Sequence, residues 1–97
     1  MAAYIIAEIE VTDPAAYEEY RARVPAVIAA HGGRYLARGG LTETIEGGAA
    51  SGRIVVLEFP DMAAARGFVT SADYAPLGEI RKKASRSRLI MVDGYRP

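Results

Sequence analysis

Residues 3–11 (AYIIAEIEV) are rich in β-branched residues and Tyr, with apolar and acidic residues alternating from Ala7 to Val11, and predict a strand. Thr12-Asp13-Pro14 follows. Asp13 can cap free helical amides and Pro14 suits a first helical position, so a helix is predicted to start there. Tyr17, Tyr20, Val24, Val27, Ile28 and His31 then recur at helical spacing and form one stripe. Pro25 falls inside the stripe and predicts a kink, and Gly32-Gly33 ends the helix. Residues 34–38 (RYLAR) read as a short strand bracketed by two Gly-Gly pairs. LTETIE at 41–46 reads as its extended continuation, and GGAASG at 47–52 as a loose hairpin loop. RIVVLEF at 53–59 is the strongest strand pattern in the chain. Pro60-Asp61 opens a second helix, again with Asp as the cap, and Ala65, Phe68, Val69 and Ala72 form its stripe. Ser71-Ala72-Asp73 marks a break. A further helical stretch places Tyr74, Leu77, Arg81 and Ala84 on one face. Residues 87–93 (SRLIMVD) form the last strand, stopped by Gly94.

The order strand, helix, strand, strand, helix, strand consists of two βαβ halves. It predicts an α+β fold: a single ferredoxin-like βαββαβ domain over residues 1–97 with a four-stranded antiparallel sheet. A weak internal repeat agrees. Glu10-Val-Thr-Asp13-Pro-Ala15-Ala16 aligns with Glu58-Phe-Pro-Asp61-Met-Ala63-Ala64 at four of seven positions.

In this topology the first and third strands are central neighbours. One face presents Ile5, Ala7, Ile9, Val11, Val55, Leu57 and Phe59, all apolar, and should carry the helices. The other presents Tyr4, Ile6, Glu8, Glu10, Ile54, Val56 and Glu58, a mixed set. Such a face across four strands covers roughly 300 Å². Left bare, its apolar part approaches the largest patch a monomer normally exposes. Packing a second sheet on it is the usual remedy, and a chain this short must take that sheet from another copy. A C2 homodimer through the sheet faces is therefore expected. If Arg34, Leu36 and Arg38 point to this face, Arg38 can pair with Glu58 or Glu10; in the other register Tyr35 and Ala37 point there.

Composition narrows the function classes. The chain has 97 residues, 12 Lys+Arg against 12 Asp+Glu, one His, no Cys and no Trp. Balanced charge argues against a nucleic-acid partner bound by bulk electrostatics. Without Cys there is no disulfide framework, thiolate metal site or Cys nucleophile, and one His cannot build a multi-His zinc site. No metal or cofactor is expected. No apolar run approaches the ~18 residues of a membrane span. Glu8 and Glu10 interrupt the N-terminal run where a signal peptide would stay apolar. A cytoplasmic protein without a membrane partner is the expectation.

GGRYLARGG (32–40), VVLEFPDMAAA (55–65) and SADYAPLGEIRKKAS (71–85) resemble the bacterial family known as domain of unknown function 1330, and the resemblance runs from about Tyr4 to Tyr95. It implies membership of the dimeric α+β barrel superfamily, in which two ferredoxin-like sheets pack face to face. It implies no reaction. That superfamily includes cofactor-free monooxygenases, haem-degrading enzymes, small-lactone isomerases and ligand-binding regulatory domains, and fold alone does not choose among them.

Six residues carry the candidate chemistry, each with a plainer structural alternative. His31 belongs to the one residue type whose ordinary pKa lies near neutral pH and is a candidate general base, or simply a His favoured by the dipole at a helix C-terminus. Glu58 interrupts an apolar strand as a candidate acid or base, or as half of an interfacial salt bridge. Arg38 beside Gly39-Gly40 is a candidate bidentate holder of a carboxylate, or a pairing Arg before a turn. Tyr20, Tyr74 and Arg81 lie on core-facing stripes as candidate ligand-binding residues, or as core tyrosines and a snorkelling arginine. Arg81, Lys82, Lys83, Arg86 and Arg88 form a basic run, an anion attractor or a solvated helix end. No Ser-His-Asp order, HExxH or GxGxxG occurs.

Together these features predict a small homodimer that binds a small, anionic organic molecule in a pocket by the sheet. Either it is a cofactor-free enzyme of monooxygenase or isomerase type, or it is a non-catalytic ligand-binding or structural module.

Overall fold

The computed structural model describes all residues from Met1 to Pro97. The elements run β1 (Ala3–Val11), α1 (Pro14–Ala30), β2 (Arg34–Arg38), β3 (Arg53–Phe59), α2 (Met62–Thr70), α3 (Ala75–Ala84) and β4 (Ser85–Asp93). The sheet has four strands in the order β2-β3-β1-β4, every neighbour antiparallel. This is the ferredoxin-like sandwich, with the second helical segment split in two.

Local chemistry sets the ends of the elements. Asp13 accepts the Ala16 amide at 3.2 Å and Asp61 accepts the Ala64 amide at 2.8 Å. The repeated Asp-x-x-Ala units are therefore equivalent N-caps. α1 ends at His31, after which Gly32 takes φ +79°, a left-handed conformation that suits glycine. Ser71 Oγ donates to the Phe68 carbonyl and accepts the Tyr74 amide, turning the chain from α2 into α3.

The helix face of the sheet forms the core. Ile5, Ala7, Ile9, Val55, Leu57 and Phe59 are buried against Tyr17, Tyr20, Val24 and Ile28 of α1, Phe68 of α2 and Leu77 of α3. Phe59, Phe68, Ile5 and Leu77 are the largest side chains wholly out of water, each contributing about 1.5–3 kcal/mol by burial. The ring of Phe68 packs 5.3 Å from Phe59 and 4.6 Å from Tyr74, centroid to centroid.

Three sequence expectations change. Residues 41–46 do not extend β2. They form no strand, and Leu41 and Ile45 are 95% and 100% exposed. β2 ends at Arg38 because Gly39 turns away at φ +70°. The register of β2 is also mixed, because a bulge between Tyr35 and Ala37 breaks the alternation. Arg34 therefore stands opposite Glu58 on the outer face, while Arg38 stands opposite Val55 on the helix side. The extra residue of a bulge re-aims everything beyond it. Arg38 accordingly pairs with neither glutamate. Arg34 Nε donates to Glu58 Oε1 at 2.7 Å, and Arg86 holds Glu10 at 3.3 Å. Finally, α1 runs without interruption through Pro25. A proline lacks the amide that would bond the carbonyl four residues earlier, here Arg21. The Arg38 guanidinium donates to that carbonyl at 2.9 Å. A side chain from the sheet thus supplies the donor that Pro25 lacks, a residue pairing across α1 and β2 that only the fold brings about.

Candidate functional site

Two adjoining spaces lie between the helices and the sheet. A narrow chamber of about 40 Å³ opens between α1 and the β2–β3 end of the sheet. A wider groove of about 460 Å³ runs between α3 and β4, within the usual size of small-molecule sites. Ile5, Tyr74 and Leu89 line both.

A chain of hydrogen bonds forms the partition. The hydroxyls of Tyr20 and Tyr74 are 3.0 Å apart, and Arg81 Nε donates to the Tyr74 hydroxyl at 3.2 Å. Arg81 also donates through Nη1 to Ser87 Oγ. Its residue is 8% exposed, yet no carboxylate lies within salt-bridge distance. Its Nη2 has no partner in the chain. A buried guanidinium held only by hydroxyls keeps most of its charge available to a guest. Helical spacing explains the grouping: Tyr74, the N-cap of α3, and Arg81 within it are seven residues apart, two turns along one face. Tyr20 meets them from α1.

The chamber wall carries Tyr17, Tyr35, Arg21, Arg38 and Arg53 among its apolar lining. Arg38 lies 4.6 Å from the centroid of the Tyr35 ring and Arg53 5.8 Å from that of Tyr17, both within cation–π range. No carboxylate lines the chamber; the groove has one, Glu79, which Lys82 holds at 3.7 Å. Burial pushes the hydroxyl pKa of Tyr17, Tyr20 and Tyr35 up. For Tyr20 the neighbouring Tyr74 adds to the rise, and nearby guanidiniums oppose it at all three. All three therefore remain neutral phenols that can donate hydrogen bonds at physiological pH.

Of the residues singled out in the sequence, the structure brings Tyr20, Tyr74 and Arg81 together at the partition and sets Arg38 at the chamber. Glu58 and His31 line neither space. Glu58 lies on the outer face with Arg34. His31 caps α1 and packs its ring 6.0 Å from Phe68. The basic run disperses: Arg81 turns inward, Lys82 meets Glu79, and Arg86 meets Glu10. No group of three or more His, Asp or Glu side chains is placed to hold a metal ion, and no helix is long and apolar enough to cross a membrane. Tyr17, Tyr35 and Arg53 were missed. Tyr17 sat in plain view on the stripe of Tyr20, but Tyr35 and Arg53 needed the bulge and the strand pairing to reveal their side.

These features define a small ferredoxin-like domain with a site rich in arginine and tyrosine between its helices and sheet. The chain belongs to the family described as domain of unknown function (DUF1330), whose model matches residues 2–95. No curated protein matches the sequence. Among solved structures, a protein of unknown function from Rhodopseudomonas palustris aligns with a TM-score of 0.77 at 18% identity, covering 99% of this chain and 84% of that one. SnoaB, a cofactor-independent oxygenase from Streptomyces nogalater, aligns with a TM-score of 0.63 at 17% identity, covering 99% and 95%. A dimeric ferredoxin-like protein of unknown function from Jannaschia sp. aligns with a TM-score of 0.63 at 15% identity, covering 99% and 100%. At such identities the likeness is one of fold.

Proposed function

We propose that this protein is a homodimer that binds a small anionic organic molecule in the space between its helices and its sheet. One observation carries the binding reading: Arg81 is a buried guanidinium with no carboxylate partner, at the boundary of a groove whose apolar wall includes Ile5, Val69, Leu89 and Met91 and whose one carboxylate, Glu79, is held by Lys82. The apolar wall suits an organic body and the cation suits an oxyanion. Titrating the protein with benzenesulfonate and with neutral benzamide tests it. The sulfonate should bind and the amide should not; equal binding of the two overturns the reading.

The dimer reading rests on the outer sheet face. Ile6, Ile90, Val92 and Leu36 are each 38–49% exposed there, and the fold is shared with a protein described as dimeric. Face-to-face packing at about 10 Å would cover this belt and complete a dimeric α+β barrel. Glu58 and Arg34 would then sit at its seam.

The likeness to SnoaB favours a second reading, a cofactor-free enzyme of monooxygenase or isomerase type. In it the arginines would hold the substrate as its anion. Consumption of a bound anion without added metal or flavin supports this reading. Saturable binding that returns the molecule unchanged supports a non-catalytic module.

A further inference from the structure

Two complementary features of the chain are without partners. The first is the free edge of β4. This strand is nine residues long, contains no proline and pairs with β1 alone. Its other edge presents a row of backbone amides and carbonyls, which template a further strand unless something covers them. The groove extends to this edge. It touches Leu89, Ile90 and Met91, consecutive residues whose side chains leave opposite faces of a strand, so it passes around the edge between them.

The second is the arm at 41–46 (LTETIE). It lies between the glycine pairs 39–40 and 47–48, and a Cβ at Gly40, Gly47 or Gly48 would meet nothing within 4 Å. In an extended arm Leu41, Glu43 and Ile45 share one face, and the threonines between them suit a strand. Leu41 and Ile45 are almost wholly exposed. The arm carries two glutamates and no cation, whereas the exposed side chains of β4 include Arg86 and Arg88. Arg86 holds Glu10, but Arg88 is in no ion pair of the chain. Setting Glu43 across from Arg88 places Leu41 or Ile45 across from Ile90 whichever way the arm runs, because both patterns step by two.

Surface area and reach indicate which copy supplies the arm. Two outer sheet faces of roughly 300 Å² each bury about half of the ~1,200 Å² at which specific, stable interfaces begin, so a dimer needs further surface. Within one copy β3 and β1 stand between the arm and β4. Extended from Gly39 to Glu46, the chain spans up to about 26 Å, ample to cross the ~10 Å between two packed sheets.

We propose that in the dimer each copy lays its 41–46 arm along the free edge of its partner's β4 as a fifth strand, with Glu43 facing Arg88 and an aliphatic side chain beside Ile90. The arm borders the groove at that edge, so each groove takes one wall from the other copy. This deepens the dimer reading above and rests on it.

The chain has no cysteine, so introduced thiols report the contact directly. Glu43→Cys and Arg88→Cys proteins, each changed at an exposed position, are mixed, left to exchange subunits and oxidised with copper phenanthroline. The mixture should give a disulfide-linked dimer on a non-reducing gel, because paired strands bring facing Cα atoms within the about 4.4–6.8 Å that a disulfide spans. Each protein alone should run as uncross-linked chains. Ile45→Asp should weaken the dimer at least tenfold in sedimentation while its far-ultraviolet circular dichroism stays that of the wild type, since the side chain touches nothing within its own copy. A wild-type dimer that gives no cross-link, with Ile45→Asp associating as tightly, overturns the arm and leaves the dimer reading standing. A wild type that sediments as a monomer at every concentration removes both.

Discussion

Tyr74→Phe removes one oxygen and breaks two hydrogen bonds at the partition. One joins it to the Tyr20 hydroxyl at 3.0 Å; the other accepts Arg81 Nε at 3.2 Å. A neutral hydrogen bond contributes about 0.5–1.5 kcal/mol and one to a charged group about 1.5–3 kcal/mol. Arg81 is buried, so solvent screens little of the second. Tyr74→Phe should therefore destabilise the fold by about 2–4 kcal/mol, a large share of the roughly 5–15 kcal/mol typical of a domain. Tyr20→Phe breaks only the neutral bond and leaves Arg81 with its partner, so its cost should be about 1 kcal/mol. The double variant should cost little more than Tyr74→Phe alone, giving a coupling of about 1 kcal/mol in the cycle. Urea unfolding followed by far-ultraviolet circular dichroism measures all four proteins, at one protomer concentration because self-association shifts apparent stability. A Tyr20→Phe cost equal to or above that of Tyr74→Phe would refute the hydrogen-bond order. So would a Tyr74→Phe cost below about 0.5 kcal/mol, since the mechanism requires a lost bond to a charged group.

Other consequences follow from the same contacts. Burial raises the Tyr20 hydroxyl pKa above its unfolded value near 10.0, so the unfolded chain loses this proton first. Stability is then fully present below about pH 10 and falls above it by up to about 1.4 kcal/mol per pH unit; urea midpoints at pH 8 and pH 11 should converge in Tyr20→Phe. Ile90→Glu places a charge in the exposed apolar belt and should turn the proposed dimer into a monomer in sedimentation experiments; a wild type that already sediments as a monomer would remove the covered-face argument. Gly33→Ala would set a Cβ 2.6 Å from Phe59 Cε1 and 2.8 Å from Ile28 Cγ2, whereas Gly40→Ala meets nothing within 4 Å. The first should cost about 1–3 kcal/mol through overpacking and the second should be close to neutral, as thermal unfolding would report.

The elements were legible because their signals are local. Asp13 and Asp61 lie next to the amides they cap, so sequence spacing sufficed to place both helix starts. The period-2 alternation of residues 3–11 and 53–59 separated core from outer face, since a strand's side chains must alternate. The seven-residue step from Tyr74 to Arg81 likewise put two site residues on one helix face before any packing was known.

Other features depended on partners remote in sequence. Alternation failed in β2, where one bulge swung Arg38 to the helix side and left Arg34 to Glu58. Nothing in RYLAR encodes that extra residue; it arises from pairing with β3. Pro25 read as a kink because its missing amide is local, while the Arg38 guanidinium that meets the Arg21 carbonyl comes from another layer. His31 and Glu58 looked chemical by residue type, yet a cavity is a property of packed surfaces, and neither reaches it. The sequence by itself determined the elements, the caps and the inward face. The tertiary structure decided which tyrosines and arginines share one enclosed space, because burial and charge pairing depend on distances that only packing creates.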